Sequence, residues 1–141
     1  MKINFRLNGD MREFDIEPNK IMLDLLRENG FYGVKKGCDD GFCGACTILL
    51  DGKAVNACII LAVQAHNREV TTIEALGDVD SMHIIQKNYV NEGAVQCGYC
   101  IPGMILSTKA LLDENKNPTE EDIKLALDGN LCRCTGYVKQ I

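Results

Sequence analysis

Gly37-Cys38-Asp39-Asp40-Gly41-Phe42-Cys43-Gly44-Ala45-Cys46 places three cysteines at C-x4-C-x2-C spacing in a loop punctuated by glycine. The residues on either side say what this loop connects. Downstream, Thr47-Ile48-Leu49-Leu50, the turn Asp51-Gly52 and Lys53–Cys58 read as a β-hairpin. An antiparallel hairpin turning there pairs residues whose numbers add to about 103 or 104, which returns Cys58 to within about one residue of the point opposite Cys46. Upstream, residues 2–8 alternate polar and apolar as a strand, Asn8-Gly9-Asp10 is a hairpin turn signal, and Met11–Ile16 is the returning strand. Lys20–Asn29 carries Met22, Leu25 and Leu26 at helical spacing before a stop at Gly30, and Val70–Ile73 supplies a last strand. Strands around one helix within about 75 residues predict a small α+β unit.

Beyond Leu76-Gly77-Asp78 the pattern turns helical. Ser81–Glu92 has Met82, Ile85 and Tyr89 at helical spacing, and Gly103–Leu112 forms a second helix with Pro102 near its first turn. A third starts with Asn117 as N-cap, Pro118 at N1 and Glu120 at N3, while Thr119 with Asp122 offers a similar cap two residues later. The chain therefore divides into residues 1–77 and 78–141, each half holding four cysteines. The second set is Cys97-x2-Cys100 and Cys132-x-Cys134. Cys100 and Cys132 lie sixteen residues either side of Lys116, so antiparallel helices of similar length return the second pair to the height of the first. Cys100 also precedes a helix start, where its thiolate faces the positive end of the macrodipole.

Composition narrows the chemistry. The chain has 141 residues, 46% hydrophobic and 25% charged, enough for one ordinary domain or two small ones. A net charge of −5 opposes sequence-independent binding of nucleic acid. The longest apolar runs, around Ile59–Val63 and Ile101–Leu106, fall far short of the ~20 residues of a membrane span. Residues 1–8 show no secretory h-region, so a reducing cytoplasm is expected. There, eight thiols read as metal ligands rather than disulfides. Cys38, Cys43, Cys46 and Cys58 have the spacing of a plant-type [2Fe–2S] site, and Gly37, Gly41 and Gly44 let backbone amides approach sulfur. Cys97, Cys100, Cys132 and Cys134 form the second set. Two all-cysteine zinc sites are the rival, because C-x2-C pairs serve zinc commonly, although C-x4-C-x2-C and Cys-x-Cys depart from its usual spacings. His66 and His83 are more than four residues from any cysteine and read as surface or helix residues.

Three motifs carry a family resemblance. Gly37–Cys46 resembles the first cluster motif of the xanthine dehydrogenase/molybdenum hydroxylase family. Gln96-Cys97-Gly98-Tyr99-Cys100-Ile101-Pro102-Gly103-Met104 resembles its second, and Asn130-Leu131-Cys132-Arg133-Cys134-Thr135-Gly136-Tyr137 its closing motif. Asp40 and Ile101 stand where the family often has Glu and Thr, and neither is a ligand. The resemblance covers almost the whole chain. It implies an α+β fold: an N-terminal β-grasp, ferredoxin-like domain (1–77), then an all-α four-helix-bundle domain (78–141), each with one [2Fe–2S] cluster. It also implies a large partner subunit holding a molybdopterin cofactor and a medium one holding FAD, in a hetero-oligomer such as a dimer of heterotrimers. Gln96 and the backbone at Cys134 fall where the family contacts the pterin; from the residues alone, Gln96 reads as a helix cap or an interdomain hydrogen bond. The implied role is a relay of single electrons from the molybdopterin site through two clusters to FAD, with no catalytic acid, base or nucleophile on this chain. A free-standing two-cluster electron carrier and a zinc-stabilised interaction module remain the alternatives.

Overall fold

Alternation in the first strand decides which face of the sheet becomes core. β1 (Lys2–Leu7) buries Ile3, Phe5 and Leu7 and leaves Lys2 and Arg6 in water. Asn8 and Gly9, both at positive φ (52° and 90°), turn the chain into β2 (Asp10–Asp15), with Lys2 opposite Asp15 and Leu7 opposite Asp10. An Asn-Gly hairpin requires that backbone. Phe14 stacks on Phe5 with ring centroids 5.0 Å apart. The computed structural model describes residues 1–141.

α1 (Met22–Glu28) adds Met22, Leu23, Leu25 and Leu26 to the same core. β3 (Thr47–Leu50), β4 (Lys53–Asn56) and β5 (Glu69–Thr71) complete a mixed sheet in the order β2-β1-β5-β3-β4, in which β1 and β5 pair in parallel. β3 is buried at every position. Ile48 and Leu50 face the α1 core, and a helix of the second half packs on the opposite face. A strand covered on both sides loses polar alternation, which is why Thr47–Leu50 reads as an apolar run.

In the second half, α2 (Ile84–Asn91), α3 (Ile101–Glu114) and α4 (Glu120–Leu127) gather a separate core that includes Ile85, Tyr89, Met104, Ile105 and Leu127. No helix is long and apolar enough to cross a membrane. The resemblance predicts four helices here. Residues 84–127 form three, and residues 136–140 are wound as turns. Gly136 and Tyr137 have φ of 63° and 66°, a left-handed conformation that a right-handed helix cannot pass through. The start of α4 also differs from the first expectation. Thr119, not Asn117, is the cap: its hydroxyl accepts the Asp122 amide at 3.2 Å, and the Asp122 carboxylate accepts the Thr119 amide at 2.8 Å. This reciprocal pair satisfies two otherwise orphaned donors.

The antiparallel helices are unequal, with fourteen residues in α3 and eight in α4. At 1.5 Å per residue α4 falls roughly 9 Å short of α3. A turn at Asp128–Asn130, closed by the Asn130 amide on the Leu127 carbonyl (2.9 Å), and Leu131 after it carry the chain on from the end of α4. Cys132 therefore still returns beside Cys100, through this stretch rather than through matched helix lengths.

A buried polar node joins the halves. The Gly44 carbonyl accepts from the Thr47 amide (3.1 Å), the Thr47 hydroxyl (2.7 Å) and the Asn130 side-chain amide (3.1 Å). Asn130 is 3% exposed; its Nδ2 also reaches Thr47 Oγ1 (3.2 Å), and its Oδ1 accepts the Ser107 hydroxyl (2.7 Å). Gly103, in the first turn of α3, permits this approach, because a Cβ there would collide with the Gly44 carbonyl. Asn130→Ala is expected to lose ~1–3 kcal/mol by stranding the Ser107 hydroxyl and removing a buried donor. Thr119→Ala is expected to lose about 1 kcal/mol with the cap. Both should lower the midpoint of urea unfolding, Asn130→Ala by more; an unchanged midpoint for Asn130→Ala contradicts the node.

Candidate metal centres

The β3–β4 register settles how the fourth cysteine of the first set arrives. Thr47 pairs with Asn56 and Leu50 with Lys53, so Cys46 comes opposite Ala57, whose amide donates to the Cys46 carbonyl at 3.2 Å. The returning strand stops at Asn56, earlier than the pattern through Cys58 suggests, and a 3₁₀ turn (Ala57–Ile59) takes over. That turn brings both the amide and the thiol of Cys58 to the Cys46 sulfur. In the loop itself, the Cys43 amide donates to Cys38 Sγ at 3.4 Å and the Ala45 amide to Cys43 Sγ at 3.5 Å.

Two of the interleaved glycines answer different demands. Gly37 stands so close to Cys43 that a Cβ would lie 2.9 Å from its sulfur. Gly44 has φ of 69°, and a Cβ would strike the Gly129 carbonyl and the Asn130 side chain across the boundary between halves. Its role is therefore the docking of the helical half, beyond the approach of amides to sulfur that the sequence suggested.

The second set is built from three segments. Cys97 is exposed in the loop ahead of α3, and Cys100 is buried at the helix N-cap position. Cys132 and Cys134 return after Asn130. Thr135 Oγ1 sits 3.1 Å from Cys132 Sγ, and the Tyr137 hydroxyl accepts the Cys132 amide (2.8 Å) while donating to the Asn130 carbonyl (3.0 Å). Tyr137 and Thr135 belong to the closing motif, but no periodicity or spacing assigns them these roles. Gln96 is exposed beside the exposed Cys97 and Cys134. His83 caps α2 by accepting the Ile85 amide (3.2 Å), and His66 Nδ1 accepts the Asn4 amide (3.1 Å), so both histidines serve the backbone.

Electrostatics vary from sulfur to sulfur. The amides of Cys43 and Asp40 hold the Cys38 thiol below its ordinary value. Burial raises Cys43, partly offset by the Ala45 amide, and pushes Cys46 up to about 12. Burial likewise pushes Cys100 up to about 12, with Cys132 adding to it. Burial also raises Cys132, but the Thr135 hydroxyl and amide overcome it and bring that thiol down.

All eight cysteines are free thiols. They meet in pairs: Cys38 with Cys43, Cys46 with Cys58, Cys97 with Cys134, and Cys100 with Cys132. Within each half the two pairs are neighbours, Cys43 beside Cys46 and Cys97 beside Cys100. No three Cys, His, Asp or Glu side chains converge as ligands of one ion. Tetrahedral zinc asks four ligands to converge on a point. A [2Fe–2S] cluster instead takes two thiolates on each of two irons, and two adjacent pairs per tetrad fit that demand.

Comparisons with known proteins find iron–sulfur modules along the chain. Residues 5–72 match the family model of the 2Fe-2S iron-sulfur cluster binding domain, and residues 72–141 that of the [2Fe-2S] binding domain. The nicotinate dehydrogenase small FeS subunit of Eubacterium barkeri is 51% identical over 97% of this chain and 88% of its own. The xanthine dehydrogenase iron-sulfur-binding subunit of Escherichia coli is 42% identical over 96% of this chain and 86% of its own. Among solved structures, a chain of quinoline 2-oxidoreductase from Pseudomonas putida 86 superposes with a TM-score of 0.94 at 40% identity, covering 99% of this chain and 87% of that one. Two [2Fe–2S]-binding modules in one α+β chain define an electron-transfer component of an oxidoreductase. The chain belongs to the xanthine dehydrogenase/molybdenum hydroxylase family, as its small [2Fe–2S] iron–sulfur subunit.

Gly44→Ala tests the docking role of that glycine. A left-handed φ imposed on alanine and a clash with Gly129 together are expected to cost ~1–3 kcal/mol or more. The fall should appear as a lower urea midpoint; Gly52→Ala, in an open turn with nothing near its Cβ position, should fall less. Equal losses contradict the assignment.

Proposed function

We propose that this chain relays single electrons from a molybdopterin site on a large partner subunit to FAD on a medium subunit, through two [2Fe–2S] clusters. Cys38, Cys43, Cys46 and Cys58 would hold the first and Cys97, Cys100, Cys132 and Cys134 the second. When bound, each such cluster accepts and releases one electron at a time. The chain's own residues hold the sulfurs, supply amide donors to them, and keep the two tetrads at a fixed separation. A β-grasp, ferredoxin-like unit (1–77) and an all-helical unit (78–141) are the proposed domains. The exposed Gln96 and the backbone at Cys134 are the proposed contact with the molybdopterin, and cytoplasm the proposed compartment. The assembly would be a hetero-oligomer, with a dimer of heterotrimers as its fuller form.

One observation carries this reading. The Leu131 amide donates to the Cys43 carbonyl at 2.8 Å. Leu131 precedes Cys132 of the second tetrad, and Cys43 belongs to the first. A single hydrogen bond thus joins the backbones that carry a sulfur of each set. Two unconnected structural zinc sites have no use for such a bridge, whereas electron transfer benefits from a short bonded route between carriers.

The test is a pair of single variants in the assembly as purified. Cys43→Ser is expected to remove or strongly alter one of two EPR signals, and Cys100→Ser the other, each with slower electron flow from substrate to acceptor. Both signals surviving unchanged contradict the ligand sets. Co-purification with molybdopterin- and FAD-containing chains is expected; a stable monomer reduced directly by a soluble reductase would favour a free-standing carrier.

A further inference from the structure

Tyr99 lies between Cys97 and Cys100 of the second set, yet its hydroxyl donates to the Lys36 carbonyl, two residues ahead of Cys38 of the first set, at 2.6 Å. That carbonyl belongs to the peptide unit joining Lys36 to Gly37. The chain contains no cis peptide bond, so the carbonyl and the Gly37 amide of this unit point in opposite directions. Cys43 stands against this unit: a Cβ on Gly37 would sit 2.9 Å from its sulfur, and the Gly37 amide is the smallest of several influences that act on that thiol, in the direction that lowers it. The Tyr99 ring lies along the same glycine, 3.7 Å from that Cβ position. One planar group therefore takes a hydrogen bond from the second cysteine loop at its carbonyl and lies against a sulfur of the first tetrad at its glycine.

We propose that Tyr99 is a positioning residue that tunes the first cluster from within the second cluster's loop, by orienting and polarising the Lys36–Gly37 peptide toward Cys43. The inference rests on the electron-transfer reading above and deepens it. A hydrogen bond accepted by a peptide carbonyl strengthens the N–H of the same peptide as a donor. Donors to cluster sulfur stabilise the more negative, reduced state and so raise the potential. Removing the hydroxyl takes away that polarisation and the restraint on the peptide plane, so the first cluster should become harder to reduce. The second cluster should be unaffected, because the Tyr99 hydroxyl points away from its own loop to Lys36.

The test is Tyr99→Phe in the purified holoprotein, which keeps the ring of this half-exposed residue and deletes only its hydroxyl. Each cluster is titrated against ambient potential and followed by its own EPR signal, with iron content measured alongside. At fixed potential the reduced-to-oxidised ratio of the first cluster is expected to fall three- to tenfold, tenfold being ~59 mV for one electron. The second cluster, retaining its potential, is the internal reference. Asp39→Asn breaks the exposed Lys36–Asp39 ion pair (2.9 Å) beside the same peptide without touching the Tyr99 bond, and it should shift the first cluster less. Unchanged potentials, a shift confined to the second cluster, or equal shifts in both overturn the proposal. A wild-type holoprotein without two [2Fe–2S] signals instead defeats the electron-transfer reading, before any variant is compared.

Discussion

The buried side chain of Asn130 is the contact on which the arrangement of the two halves depends. It bonds a carbonyl of the first cysteine loop, a hydroxyl of β3 and a hydroxyl of α3, all within a region closed to water. An amide buried without partners costs ~1–3 kcal/mol, so alternative dockings that break this set are disfavoured by a sizeable fraction of a small domain's stability. Glycine at positions 44 and 103 removes the side chains that would hold the segments apart. With the node closed, the Leu131 amide falls on the Cys43 carbonyl and the Tyr99 hydroxyl on the Lys36 carbonyl. Both links between the two cysteine sets are thus consequences of one packing solution.

Burial and hydrogen bonding oppose each other at the sulfurs, and their balance differs between sites. Cys46 and Cys100 lie deepest, and desolvation works against a free thiolate at each. Bound metal supplies the positive charge that makes such a buried thiolate tolerable. Amide and hydroxyl donation instead holds the Cys38 and Cys132 thiols below their ordinary value. Exposure is asymmetric too: Cys97 and Cys134 face outward together with Gln96, whereas no cysteine of the first set is fully exposed. A partner docking over Gln96 would cover the open side of the second site.

Much of this was legible in the residues, for definable reasons. Strand alternation and Asn-Gly or Asp-Gly turns fix hairpin register locally, so β1–β2 and β3–β4 lie where the pattern puts them, and Cys58 lands one residue from the point opposite Cys46. Helix existence was equally plain, but helix ends were not. α4 begins at its Thr119–Asp122 box and ends at Leu127, because capping and the demands of the Asn130 node override the apolar repeat. The fourth helix failed at the left-handed Gly136-Tyr137, a conformation that Tyr137 gives no sign of in sequence. Asn130, Gly103 and Tyr99 were visible only as members of motifs. Their work is done across the boundary between halves, and contacts of that kind leave no periodic trace.

Iron and acid-labile sulfide measured per chain, together with the visible spectrum of the same sample, test the central claim most directly. Two tetrads that each hold a two-iron cluster predict a coloured protein with about four irons and four sulfides per chain. A colourless protein carrying about two zinc ions and no labile sulfide would contradict it.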